Sequence, residues 1–123
     1  MKTVVVLGAS PKPARYANRA IKELVSGAYG DFKVIPVSPK GGVIHGEPCL
    51  LSLSEISVPV DTLTLYVGAP ISSKLITEII ELNPKRIIFN PGTENPELLS
   101  VAEEAGITCL EACTLIMLHT GQF

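Results

Sequence analysis

The chain has 123 residues, of which 46 % are hydrophobic and 18 % charged, and its formal net charge is −2. That length suits a single domain spanning 1–123, with enough apolar material for a core. The acidic balance, the absence of tryptophan and the lack of a basic stripe exclude a nucleic-acid surface, and no apolar run approaches the roughly 20 residues that cross a bilayer.

Thr3 to Leu7 is a β-branched apolar run that stops at Gly8. It is too short for a signal-peptide core and reads as a strand buried on both faces, in a protein expected in the cytoplasm. Gly8 to Pro13 is a loop, because its two prolines prevent regular pairing. From Ala14 to Ala28 the apolar residues Ala17, Ala20, Ile21, Leu24, Val25 and Ala28 form a helical stripe that Gly27 and Gly30 end. Lys33 to Val37 is a second strand, broken by Ser38-Pro39-Lys40-Gly41-Gly42. An irregular stretch containing His45-Gly46-Glu47-Pro48 follows, then one short helical turn at Ser52 to Ile56. Thr62 to Val67 reads as a third strand, and Ser72 to Leu82, with Leu75, Ile76, Ile79 and Ile80, as a helix stopped by Asn83-Pro84. Arg86 to Phe89 is a fourth strand. Asn95-Pro96-Glu97 opens a helix, since Asn caps and Pro suits the first helical position. That helix runs to Ala105 before Gly106. Ile107 to Leu110 is a fifth strand, and Thr114 to Leu118 a last helical turn. Alternation of this kind predicts an α/β Rossmann-type sandwich of three layers around a mostly parallel five-stranded sheet.

Ligands of open parallel sheets bind beyond the carboxyl ends of the strands. The loops there are Gly8-Ala9-Ser10, Ser38-Pro39-Lys40, Gly68-Ala69-Pro70 and Asn90-Pro91-Gly92. All are small, polar or turn-forming, so a ligand can approach the backbone and its amide N–H groups. Gly8, Ser10 and Pro13 match the dinucleotide fingerprint G-x-G-x-x-G poorly. The underlying arrangement, a tight turn that aims a helix N-terminus at phosphate, does not need it. Lys12, Arg15 and Arg19 are placed to neutralise a pyrophosphate. An NAD site wants an acidic residue after the second strand; this chain has Lys40, which suits a phosphate on the adenosine ribose. Coenzyme A and NADP both carry one.

These loops resemble the CoA-binding domain family, the Rossmann module at the N-terminus of the succinyl-CoA synthetase α subunit that also occurs as a stand-alone bacterial protein. The resemblance rests on Gly8-Ala9-Ser10-Pro11, Arg15, Asn18-Arg19, Val37-Ser38-Pro39-Lys40, His45-Gly46-Glu47, Val60-Asp61, Asn90-Pro91-Gly92-Thr93-Glu94-Asn95 and Ala102-Glu103-Glu104-Ala105-Gly106. It implies that Gly8 and Ser10 hold the pyrophosphate of coenzyme A and that Lys40 meets the ribose-phosphate end. It further implies that Val67-Gly68 and Asn90-Pro91-Gly92 line the adenine and pantetheine path. Stand-alone members often carry Arg-Pro after strand three, where this chain has Gly68-Ala69-Pro70.

No catalytic residue stands out. Ser10 lacks a G-x-S-x-G elbow, and there is no metal-ligand cluster or Walker A loop. His45, in a Gly-Gly loop, and His119 are the only histidines. Cys49, Cys109 and Cys113 are odd in number and lack the two-residue spacing of zinc or redox motifs, so they read as buried free thiols. Cys113, after the last strand, is also placed to form a mixed disulfide with coenzyme A. The expectation is a non-catalytic protein that binds coenzyme A or an acyl-CoA at the sheet edge, as a regulator or detached subunit. It has no membrane partner, and a protein partner or a homo-oligomer is compatible with it. The alternative is an NADP-binding oxidoreductase-like domain.

Overall fold

Val4, Val5 and Val6 are all fully buried, which a strand achieves only when both faces of its sheet are covered. The computed structural model describes residues 1–123. It places these valines in β1 (Lys2–Leu7) near the middle of a sheet. α1 (Tyr16–Val25) and β2 (Phe32–Val37) follow. A small hairpin, β3 (Val43–Ile44) and β4 (Glu47–Pro48), and a 3-10 turn at Leu53–Glu55 precede β5 (Thr62–Leu65). Next come α2 (Ala69–Ser72), a 3-10 turn at Ser73–Leu75, α3 (Ile76–Leu82) and β6 (Arg86–Phe89). α4 (Pro96–Glu104), β7 (Thr108–Glu111) and α5 (Thr114–His119) complete the chain.

The sheet order is β2-β1-β5-β6-β7, and every neighbouring pair is parallel. Alternation along the strands sorts the core into two. Val4, Val6 and Val34 face α1, α5 and the hairpin, where they meet Ala17, Ile21, Leu24, Ile44 and Leu118. Val5, Leu7, Leu63, Leu65, Ile87 and Phe89 face α3 and α4, where they meet Ile79, Leu98 and Ala102. Each such large side chain contributes about 1.5–3 kcal/mol relative to leaving it in water. The three-layer Rossmann-type expectation holds, and the sheet is parallel throughout.

Several boundaries differ from the sequence reading; the first helix, for one, spans Tyr16–Val25 rather than Ala14 to Ala28. The third strand ends at Leu65 rather than Val67, because Tyr66 and Val67 continue the apolar pattern while turning out of the sheet. The helix expected over Ser72 to Leu82 starts earlier, at Ala69, and is interrupted by the 3-10 turn. The fifth strand runs one residue later than expected, Thr108–Glu111. The stretch read as irregular holds the hairpin, whose tip residues His45 and Gly46 have φ of 47° and 83°, the left-handed pair of a tight two-residue turn. The start of α4 is as expected: Asn95 accepts from the N–H groups of Glu97 and Leu98 at 3.1 and 3.2 Å.

Candidate functional site

β1 pairs with β2 on one side and β5 on the other, so the chain reverses its winding direction between β1 and β5. Loops leaving the carboxyl ends of those two strands diverge and leave a crevice between them. Gly8 is what lets the crevice form. Its φ is +92°, and a Cβ there would lie 2.8 Å from Val67 Cγ1 and 2.9 Å from the Tyr66 carbonyl. Only glycine tolerates both the backbone angle and the approach.

The crevice widens into a cleft of about 640 Å³. Gly8, Ala9, Ser10, Arg15, Ser38 and Lys40 line it from the β1 and β2 loops, and Val67, Gly68, Pro91 and Gly92 line it from the β5 and β6 loops. Sequence reasoning did not anticipate Tyr16, Tyr66, Ile71 or Thr93, which also line it. Tyr16 and Ile71 are large side chains left 65 % and 53 % exposed beside the cleft, a property of the fold that the sequence does not display. The lining holds three cations, Lys12, Arg15 and Lys40, and no carboxylate, in a chain whose net charge is −2. A concave surface of one sign concentrates anions.

The hydrogen-bond donors in the cleft differ from those the sequence suggested. The N–H groups of Gly8 and Ala9 both donate to the Val37 carbonyl, at 3.0 and 3.1 Å, so they are spent in joining the two loops. The Gly92 N–H is taken by the Glu94 carboxylate at 3.0 Å. By contrast, α1 begins at Tyr16 with no side-chain cap and no acidic residue in its first turn. The N–H groups of Tyr16, Ala17 and Asn18 make no internal bond. Free first-turn amides and the positive end of a helix dipole form an anion site, and here Tyr16 and Ala17 belong to the cleft wall.

The Ser10 loop is held from behind. Asn18, only 5 % exposed, donates from Nδ2 to the Ser10 carbonyl at 2.9 Å and meets His45 Nε2 through Oδ1 at 2.8 Å. Ser10 Oγ accepts from the Lys12 N–H, and Ser38 Oγ from the Lys40 N–H, both at 3.2 Å. Two loops on the rim are thus closed as short turns in which a hydroxyl takes a backbone proton two residues on.

Asn90 corrects the sequence reading. Its side chain does not line the cleft but lies beneath it, 2 % exposed. Nδ2 donates to Thr64 Oγ1 and the Leu65 carbonyl, and Oδ1 accepts from the Thr114 N–H. The residue after a strand faces either the ligand or the core, and composition does not say which. Tyr66 sits above this cluster. Its hydroxyl is buried without a well-formed hydrogen bond. Burial pushes its pKa up to about 12, an effect that the nearby Thr114 and Thr64 hydroxyls offset only in part.

The model of the family described as "CoA binding domain" matches residues 2–119. The chain belongs to the CoA-binding domain family. Among solved structures, this CoA-binding domain is similar to an uncharacterized protein at 40 % identity and a TM-score of 0.91, over 100 % of this chain and 98 % of that one. It is also similar to a protein from Thermus thermophilus at 30 % identity and a TM-score of 0.87, over 99 % and 90 % of the two chains. The fold recurs in the dinucleotide-forming acetyl-coenzyme A synthetase of Ca. Korarchaeum cryptofilum, at 22 % identity and a TM-score of 0.76. There the CoA-binding domain covers 90 % of itself but 25 % of the larger chain, a likeness of fold alone.

Proposed function

We propose that this protein binds coenzyme A, or an acyl-CoA, across the cleft between the β1 and β5 loops and acts by binding rather than by catalysis. The observation that carries this reading is a carboxylate-free cleft with three cations and an uncapped helix N-terminus in a chain that is acidic overall. The pyrophosphate sits at the start of α1, held by the free amides, by Ser10 and by Arg15, with Gly8 providing the space and not the donor. The extra ribose phosphate sits by Lys40, whose ammonium suits a dianion. Val67, Gly68, Pro91 and Gly92 supply the wall for adenine and pantetheine, with Ile71 as an apolar lip. Coenzyme A supplies a thiol that carries acyl groups as thioesters; the chain's own residues only bind and orient it. A binding role fits the lining, which consists of cations, hydroxyls and apolar surface. Both histidines lie on a different recess, and a tyrosine hydroxyl raised to about 12 is a poor base near neutral pH. The cytoplasm, where coenzyme A is used, is the compartment we propose for it.

Thermal melting with coenzyme A, dephospho-coenzyme A, NADP and NAD tests the reading, because a ligand selective for the folded state raises Tm. Coenzyme A should stabilise most and the dephospho form less, and Lys40→Ala should erase that difference. Stabilisation by NADP above coenzyme A would move the site to a nicotinamide function. No shift with any of the four, or equal shifts with all, would remove the proposal.

A further inference from the structure

The Ser10 carbonyl, in the loop that faces the cleft, has one partner, the Asn18 amide nitrogen at 2.9 Å. Pro11 follows, so that peptide carries no N–H. Turned into the cleft, the carbonyl would set the negative end of its dipole against a phosphate. Bonded to Asn18, which is buried and does not belong to the cleft wall, it faces away. The Asn18 amide holds that position by two bonds of opposite sense: Nδ2 donates to Ser10, and Oδ1 takes the N–H of His45 Nε2 at 2.8 Å. A flipped amide would set oxygen against oxygen at Ser10 and N–H against N–H at His45, so the pair of bonds fixes one orientation. The second bond comes from a remote element, the tip of the β3–β4 hairpin.

An imidazole at that tip does nothing for the hairpin itself. Ile44 is buried and anchors the hairpin in the core, whereas His45 is exposed. His45 and Gly46 have φ of 47° and 83°, and a two-residue turn with this backbone favours Asn-Gly. The one side-chain hydrogen bond of His45 goes to Asn18. The segment just after the hairpin braces the other rim loop as well: Ser38 N–H donates to the Leu50 carbonyl and Leu50 N–H to the Pro36 carbonyl, each at 2.9 Å. We propose that His45 is a positioning residue of the cleft, acting through Asn18 to hold the Ser10 loop in the shape that receives a pyrophosphate. It touches no ligand. A loop already held in its bound shape loses less freedom on binding, which raises affinity without a new contact. This role rests on the coenzyme A reading of the cleft; the coupling of His45 to the Ser10 loop is measurable without it.

Two variants separate positioning from stability. His45→Asn suits the turn at least as well as histidine but is one bond too short to reach Asn18. His45→Gln carries an amide N–H as many bonds from the backbone as Nε2, while suiting the turn less well. Tm of the free protein should therefore be highest or unchanged in His45→Asn and lowest in His45→Gln. Coenzyme A affinity, measured by calorimetry, should run the other way: weakened about threefold to tenfold in His45→Asn and restored in His45→Gln. Dephospho-coenzyme A should lose the same factor, since the phosphate beside Lys40 is not involved. In the ligand-free protein, hydrogen exchange at the Lys12 amide, which is bonded to Ser10 Oγ, should quicken in His45→Asn and not in His45→Gln. His119→Asn, on the same recess as His45 but paired with Glu23, should change neither affinity nor exchange. Affinity that follows Tm across the variants, or a His45→Asn protein that binds and exchanges like the parent, would overturn the role. So would an equal loss in His119→Asn, which would assign the effect to the recess and not to the Asn18 bond. A parent that does not bind coenzyme A would remove the cleft reading, and exchange at Lys12 would still decide whether His45 governs the loop.

Discussion

Asn90 takes the backbone N–H of Thr114 into its side-chain oxygen at 2.8 Å, and so caps α5 from a different strand. Cys113, the residue at the capping position itself, contributes no side-chain bond. The same amide donates to Thr64 at 2.7 Å, and the Thr64 and Thr114 hydroxyls meet at 2.8 Å. Three elements are pinned by one fully engaged buried amide. Asn90→Ala strands the Thr114 N–H and the Leu65 carbonyl, and each unsatisfied buried group costs about 1–3 kcal/mol. Urea denaturation should show a loss of about 3 kcal/mol or more. Asn90→Asp keeps the acceptor but loses both donated bonds, and should be no better at neutral pH.

Gly8→Ala places a methyl group 2.8 Å from Val67 Cγ1 at a φ of +92°. Strain of this kind costs about 1–3 kcal/mol, and relief requires the β1 and β5 ends to separate. The expected result in denaturant melts is destabilisation of that size. Coenzyme A affinity, measured by calorimetry, should fall as well, although the Gly8 amide does not face the ligand. A variant with normal stability and normal affinity would show that the close approach is dispensable.

The Tyr66 hydroxyl makes stability fall at alkaline pH. Its folded pKa is raised to about 12, above the unfolded value of 10.0, so the folded state holds the proton more tightly. The stabilisation is complete below pH 10, is lost as pH rises from 10 to 12, and has gone above that. Two pKa units correspond to about 2–3 kcal/mol. Tyr66→Phe removes this dependence and strands nothing, because the hydroxyl has no well-formed partner. At neutral pH the variant should match or exceed the parent, and its stability across the alkaline window, followed by circular dichroism, should be flatter than the parent's.

Lys12→Gln and Arg15→Gln remove exposed cations from the cleft wall. Each should reduce coenzyme A affinity by about threefold to tenfold at low salt, with Tm of the free protein unchanged. The penalty should shrink as salt is added, since the Debye length is about 10 Å at 0.1 M. A penalty that salt does not alter would mean the side chains act by shape and not by charge.

Asn18→Ala tests the support behind the Ser10 loop. It leaves the Ser10 carbonyl and His45 without their bonds and should weaken coenzyme A by about tenfold while exposing the Ser10 and Lys12 amides to faster hydrogen exchange. Unchanged exchange there would mean the loop holds its shape without Asn18.

Much of the fold was legible because it follows from burial. Val4 to Val6 and Ile87 to Phe89 are short runs apolar on both faces, and a parallel sheet interior is where such runs are stable. Asn95-Pro96 likewise announced a helix start through chemistry local to three residues. The hairpin was not legible, since strands of two residues carry no period, and its turn uses a non-glycine residue, His45, at positive φ. Val67 misled for the opposite reason: its apolar side chain continues a strand pattern but serves the cleft. At the rim, sequence located the loops and the cations Arg15 and Lys40. It could not separate Gly8, whose amide is consumed by Val37, from the helix amides that remain free, because that distinction lies in backbone direction.

The pairing of β1 with β5 sets Val4 beside Thr62, across a sequence gap that includes α1, β2 and the hairpin. Closing a loop of that length costs entropy that only the completed seam repays. A partly folded chain holding just β1, α1 and β2 would present one lip of the crevice and lack the other. Completion of the cleft is thus tied to closure of that seam: the cationic lip belongs to β1, α1 and β2, and the wall of Val67 and Gly68 arrives only with β5.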